Sequence, residues 1–170
     1  MIAILMGVSG SGKTTIGKLL AQRLGWTFLE GDAFHPRANI TKMIKGIPLS
    51  DEDRQPWLNA LRELIEQFIH KKESVVLACS ALKAAYREFL EQKDREVFFV
   101  YLKGDYELIR KRLEERSNHY MKAGLLSSQF EALEEPEGVM TVDILRDPGE
   151  IVTSIQQELL RPKHRQPKAE

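Results

Sequence analysis

A parallel α/β sheet of five strands, covered by helices on both faces, is the fold class this chain predicts, on three observations. Five short apolar runs alternate with amphipathic stretches of helical period along its length. The first run, Ile2 to Met6, leads straight into Gly7-Val8-Ser9-Gly10-Ser11-Gly12-Lys13-Thr14. That octet fits the phosphate-cradling pattern of glycine, four residues of any kind, glycine, lysine, then serine or threonine. After it, Ile16, Leu19, Leu20 and Leu24 recur at three-and-four spacing, and Gly25 ends the run.

Strand, glycine-rich loop and helix in that order predict a P-loop NTPase fold. The three glycines open backbone angles that turn successive amide N–H groups inward around phosphate oxygens. Lys13 is then expected to reach the outer phosphates as a point charge, and Thr14 to ligate magnesium through its hydroxyl. The helix starting here adds the positive end of its dipole. Phosphate groups with Mg2+, held by residues 7 to 14, are the expected ligand.

Length and composition bound the rest. A chain of 170 residues with 42% hydrophobic content suits one domain with one good core, expected over residues 1–162. Its 25 basic and 25 acidic side chains cancel, so no overall field favours nucleic acid or an acidic membrane surface. A single cysteine, Cys79, excludes an internal disulfide. No apolar run approaches the roughly 18 residues of a membrane span. The first apolar run has no basic segment before it and leads into the phosphate loop, so a cytoplasmic location without a signal peptide is expected.

Trp26 to Leu29 reads as the second strand, whose end delivers Glu30-Gly31-Asp32-Ala33-Phe34-His35-Pro36 into a loop. Ligands of open parallel sheets sit beyond the carboxyl ends of the strands, so Asp32 and His35 are expected near the phosphate loop. Asp32 has three readings: a base that orients and deprotonates an acceptor hydroxyl, a water-mediated magnesium partner, or a loop carboxylate satisfying nearby amides. Gly31 before it is expected to leave room for a ligand. Pro36 suits the first turn of a short helix through Ile40, Met43 and Ile44, stopped by Gly46.

Ser50 and Asp53 resemble a capping box, with Asp in place of the usual Glu or Gln. The long helix behind it carries the apolar stripe Trp57, Leu58, Leu61, Leu64, Ile65, Phe68 and Ile69. Trp57 reads as core packing. Arg54 in the first turn opposes the helix dipole, and either an anionic ligand or plain solvation accounts for it.

Val75 to Ala78 predict a third strand ending in Cys79-Ser80-Ala81-Leu82-Lys83, then a helix through Tyr86, Phe89 and Leu90. Cys79 reads as a small buried hydrophobe rather than a nucleophile. Val97 to Leu102 predict a fourth strand, and Asp105 caps a helix with Leu108, Ile109 and Leu113 that also carries Arg110, Lys111, Arg112 and Arg116. Ser117 to Ser128, weakly periodic, are expected to form a mobile lid, because phosphoryl transfer needs water excluded and cations brought to the transferred group. Val139 to Ile144 predict the fifth strand, and Pro148 starts a last helix through Ile151, Val152, Ile155 and Leu159 that Pro162 ends. Residues 163–170 are expected to be a disordered basic tail.

Over nearly its whole length the chain resembles the gluconokinases of the thermoresistant type, a branch of the P-loop small-molecule kinases. The segments are LMGVSGSGKTT at 5–15, LEGDAFHPRANITKM at 29–43, GIPLSDEDRQPWL at 46–58, CSALKAAYR at 79–87, VYLKGDYELIRKRLEERSNHYM at 100–121 and SQFEALEEP at 128–136. The phosphate loop is shared by very many unrelated proteins. The GD-x-x-HP, DEDR-x-PWL and CSALK segments are far more specific.

The resemblance implies ATP-dependent phosphorylation of the 6-hydroxyl of D-gluconate with magnesium, giving 6-phosphogluconate, and a homodimer. An acidic sugar needs cations for its carboxylate and hydrogen-bonding groups for its hydroxyls, which His35, Arg54, Lys83 and Arg87 offer outside the phosphate loop. Arginine's fork suits two carboxylate oxygens. Arg112, Arg116 and His119 are expected to act from the lid by analogy with cations that stabilise charge in phosphoryl transfer, His119 on the sugar side, with adenine cover the alternative for Arg112. Lys13, Asp32 and Arg116 are the expected catalytic residues. No apolar strand ends in the aspartate that usually faces Thr14 across magnesium, which leaves Asp32 or Glu30 for that place.

Other classes fit less well. A shikimate or adenylylsulfate kinase shares strand, loop and lid but lacks this combination of segments. A GTP-dependent switch needs an Asn-Lys-x-Asp motif, and the chain has none. A nucleic-acid-binding ATPase needs a basic stripe that the balanced charge does not supply.

Overall fold

The computed structural model describes residues 1–115 and 123–161. Five parallel strands, β1 (Ile2–Met6), β2 (Thr27–Glu30), β3 (Val75–Ala78), β4 (Val97–Lys103) and β5 (Met140–Asp143), form one sheet in the order β2-β3-β1-β4-β5. The helices are α1 (Lys13–Leu24), α2 (Arg37–Ile44), α3 (Asp51–Lys71), α4 (Ala84–Glu91), α5 (Tyr106–Glu114), α6 (Ala123–Ala132) and α7 (Pro148–Leu159), with a 3-10 turn over Gly31–Phe34. The expected P-loop α/β architecture is found, with strand ends displaced by a residue at β2, β4 and β5.

The central strand explains the apolar runs. Successive side chains of β1 point to opposite faces. Ala3 and Leu5 join Leu20, Val152 and Ile155 in one core beneath α1 and α7, while Ile2, Ile4 and Met6 join Trp57, Leu61, Ile65 and Leu90 in another beneath α3 and α4. Each large side chain so buried contributes about 1.5–3 kcal/mol. A strand covered on both faces has no solvent side, so its sequence shows no alternation.

Local signals set the helix ends. Ser50 Oγ accepts from Asp53 N–H at 3.2 Å and the Asp53 carboxylate accepts from Ser50 N–H at 3.0 Å, so the shorter acid closes the capping box. Asp105 accepts from Leu108 N–H at 2.8 Å, and Pro148 opens α7 behind the cap of Asp147.

The lid expectation is corrected in part. Residues 117–122 lie outside the described residues, but 123–128 form the first part of α6, where Leu125 and Leu126 are buried. Leu126 joins the core under α1 and α7, so this stretch is packed helix rather than open connection. Pro162 and the tail at 163–170 also lie outside the described residues.

Candidate active site

The carboxyl end of β1 lies at the point where the sheet reverses its winding, with β3 on one side and β4 on the other. The phosphate loop occupies that end. Gly7, Gly10 and Gly12 take φ of 138°, 85° and 95°, in the region that favours glycine, and Gly12 is the residue from which α1 starts. Val8 and Ser11 are buried, and Ser11 Oγ has no hydrogen-bond partner among the described residues. Ser9 N–H is taken by Gln129 Oε1 of α6 at 2.7 Å.

Lys13, the first residue of α1, folds back so that Nζ donates to Gly7 O at 3.0 Å and Val8 O at 2.9 Å. Burial lowers its pKa from lysine's ordinary value, and the Asp32 and Glu30 carboxylates oppose that shift. Thr14 Oγ1 donates to Glu30 Oε2 at 2.7 Å. Glu30 has its pKa raised, first by burial, with the Thr14 hydrogen bond opposing and Asp32 adding to the rise. A threonine hydroxyl with one or two carboxylates is the sparse oxygen set that suits Mg2+, which completes its shell with water and phosphate.

Asp32 is exposed on the 3-10 turn and within electrostatic reach of both Lys13 and His35. The chain itself requires glycine at position 31, because a Cβ there would stand 2.5 Å from Ala78 O. Cys79, at the end of β3, is fully buried, and its thiol is pushed up to about 12, by burial first and then by Asp32. It is an inert thiol.

His35 is stacked on Trp57, whose indole N–H donates to Gly31 O at 2.8 Å. The buried Asn39 amide donates to Asp53 O at 2.6 Å and faces His35 Nδ1 at 3.3 Å. Burial lowers the imidazole pKa, with Arg54 lowering it further and Asp32 opposing.

Beyond them, Lys83 Nζ donates to both carboxylate oxygens of Asp51, at 2.7 and 2.8 Å, and the Tyr86 hydroxyl donates to the same group. These hydrogen bonds hold the Asp51 carboxyl below its ordinary pKa. Burial and the Asp51 bond raise that of Tyr86. The Lys83 ammonium and the Arg54 guanidinium each lie 5.7 Å from the Tyr86 ring centroid.

The structure thus brings His35, Arg54 and Lys83 together around Trp57 and Tyr86. Arg87 is turned differently, with Nη1 donating to Ala81 O and Leu82 O at 3.0 Å, so that it braces the loop carrying Lys83. Arg112 Nη2 donates to Ile144 O at 2.8 Å, and its side chain lines a cavity of about 330 Å³ with Gly12, Thr15, Arg146 and Pro148. Arg116 and His119 lie outside the described residues.

Asn39, Asp51 and Tyr86 are the site residues that sequence reasoning did not place, whereas Glu30, one of the two carboxylates offered to face Thr14, is the one that meets it. Asn39 follows His35 by four residues, one helical turn, and that spacing is a usable signal. Asp51 has no comparable signal, because its partners Lys83 and Tyr86 are 32 and 35 residues away.

Comparison with known proteins gives the family. A family model described as shikimate kinase matches residues 9–137. The thermosensitive gluconokinase of Escherichia coli strain K12 is 45% identical over 161 residues, 92% of this chain and 86% of that one. The thermoresistant gluconokinase of the same organism is 44% identical over 144 residues, 85% and 82%. The crystal structure of a gluconokinase from Sinorhizobium meliloti 1021 is 42% identical, with a TM-score of 0.83 over 92% of this chain and 90% of that one. The chain belongs to the gluconokinases, among the P-loop kinases that the shikimate kinase model describes.

Proposed function

We infer that this protein transfers the γ-phosphoryl group of ATP to the 6-hydroxyl of D-gluconate, yielding 6-phospho-D-gluconate and ADP. One observation beyond family membership carries the reading. A phosphate loop and a cluster of donors for an acidic sugar, His35, Arg54 and Lys83, share one end of the sheet, with Asp32 in electrostatic reach of both Lys13 and His35.

In this reading Lys13 and the phosphate-loop amides other than those of Gly7, Ser9 and Ser11, which the fold itself engages, hold the outer phosphates. Asp32 orients the 6-hydroxyl and takes its proton as the new oxygen–phosphorus bond forms and the old one breaks toward ADP. Arg54 and Lys83 bind the carboxylate, while neutral His35 donates to a sugar hydroxyl. Arg87 supports Lys83 from behind and offers its remaining guanidinium nitrogens to the sugar. Arg112 and its cavity take the base of the nucleotide. Arg116 stabilises charge on the transferring group, and His119 contributes to the sugar site. Mg2+, when bound by Thr14 with Glu30 or Asp32, neutralises phosphate charge. A homodimer in the cytoplasm is the proposed setting, supported by the family resemblance, the single cysteine and the balanced charge.

The test is ADP release measured by a coupled assay over D-gluconate, related sugar acids, shikimate, adenylylsulfate and nucleoside monophosphates. Gluconate is expected to lead the panel. Preferred turnover of shikimate or adenylylsulfate would replace this reading with one of the sister activities.

A further inference from the structure

The helix α6 and the two residues after it touch both halves of the site through different residues. At one end, Gln129 Oε1 accepts from Ser9 N–H at 2.7 Å, and Gln129 Nε2 faces Ser9 Oγ at 3.3 Å. Ser9 is the third residue of the phosphate loop. At the other end, Glu134 N–H donates to Leu82 O at 3.0 Å, and the Glu134 carboxylate accepts from Ala84 N–H at 2.6 Å. Leu82 and Ala84 flank Lys83. Glu134 thereby caps α4, whose own N-terminal residue Lys83 supplies no side-chain cap.

The stretch between these contacts is firmly seated. Phe130 packs edge-on against Tyr106 with ring centroids 5.2 Å apart, and the Tyr106 hydroxyl pairs with Ser127 Oγ at 3.0 Å. Leu133 packs against the cores on both faces of the sheet. A shift of Ser9 is therefore resisted by the same short element that positions Lys83.

We propose that the stretch from Gln129 to Glu134 couples the two substrate sites, so that nucleotide and sugar acid each bind more tightly when the other is present. The proposal rests on the functional reading above. A ligand that orders the phosphate loop also orders the Lys83 loop through this stretch, and the second ligand meets a smaller entropic cost. Reciprocity then requires the same factor in both directions. Gln129 and Glu134 are positioning residues, since neither is assigned a contact with substrate.

The experiment is calorimetric titration of D-gluconate into the full chain, with and without a saturating non-hydrolysable ATP analogue and Mg2+. The native protein is expected to bind gluconate at least about fivefold more tightly with the analogue present. In Gln129→Ala, Gln129→Met and Glu134→Ala that ratio falls to within about twofold of unity. The double variant Gln129→Ala with Glu134→Ala shows no further loss, because two ends of one connection fail together whereas independent sites add. A merely structural role would weaken both binary affinities and leave their ratio intact, and that outcome overturns the proposal. A ratio near unity in the native protein overturns it too. No gluconate binding under either condition overturns the functional reading and the coupling with it, which separates that failure from loss of the ratio alone.

Discussion

His35 lies flat on the indole of Trp57, ring centroids 4.5 Å apart and planes 13° from parallel, while Asn39 presents an amide N–H to its Nδ1. The same amide donates to Asp53 O, and a carbonyl can only accept, so the Asn39 nitrogen is oriented without ambiguity. His35 Nδ1 must then hold a lone pair, leaving the neutral imidazole with its proton on Nε2. Burial lowers the pKa in agreement. A group whose folded pKa is lowered adds stability in full above its unfolded value, about 6.5, and that stability is lost as the pH falls from there through the folded value. Thermal unfolding followed from pH 7.5 to 5 is expected to show a loss of stability below about 6.5 that is smaller in His35→Gln. The Michaelis constant for gluconate is expected to rise over the same interval. Identical pH profiles for the two proteins would remove the neutral-histidine assignment.

Lys13→Ala is expected to lower turnover by several orders of magnitude with the fold intact, since the buried cation proposed to hold the outer phosphates has no substitute at the start of α1. Circular dichroism and steady-state rates check this, and near-native turnover would dismiss the assignment.

Glu30 and Asp32 are separable through magnesium. Glu30 touches the Thr14 hydroxyl, so Glu30→Gln is expected to shift the magnesium dependence to higher concentration and to regain turnover as magnesium rises. Asp32→Asn is expected to lose turnover by roughly a hundredfold or more at every magnesium concentration, with ATP binding kept. Recovery of Asp32→Asn at high magnesium would exchange the two roles.

Lys83→Ala and Arg54→Ala each remove a charge-assisted contact proposed to the gluconate carboxylate, worth about 1.5–3 kcal/mol, so the Michaelis constant for gluconate is expected to rise roughly tenfold or more while that for ATP stays within about twofold. Native efficiency with gluconate in both variants would move the sugar site elsewhere.

Gly31→Ala forces a methyl group against Ala78 O, and the backbone of β3 cannot retreat without breaking its pairing with β1 and β2. A destabilisation of about 1–3 kcal/mol, typical of overpacking, is expected in denaturant unfolding, with activity reduced through Asp32 beside it. Native stability would show that the turn relaxes.

Elements were legible wherever one local cause sufficed. The phosphate loop, the capping box at Ser50 and Asp53, the cap at Asp105 and the proline opening α7 each depend on residues within a few positions of one another, and each stands where its pattern puts it. The two-face burial of β1 and β3 was legible for the same reason, since an unbroken apolar run describes its own surroundings. Asp32 and His35 could be placed near the loop because parallel sheets gather their strand ends. The lid was misread at its second half because Leu125 and Leu126 form too short a run to show a period, and only the core under α1 and α7 shows what they pack against.

The partnerships inside the site belong to another class. That Thr14 meets Glu30, that Lys83 and Tyr86 share Asp51, that Trp57 carries His35, and that Gln129 reaches back 120 residues to Ser9 depend on how β1, β3 and the helices around them pack together. A side chain's residue type sets what bonds it is able to make, but distance selects among the available partners. Distances between segments dozens of residues apart exist only once the sheet has closed.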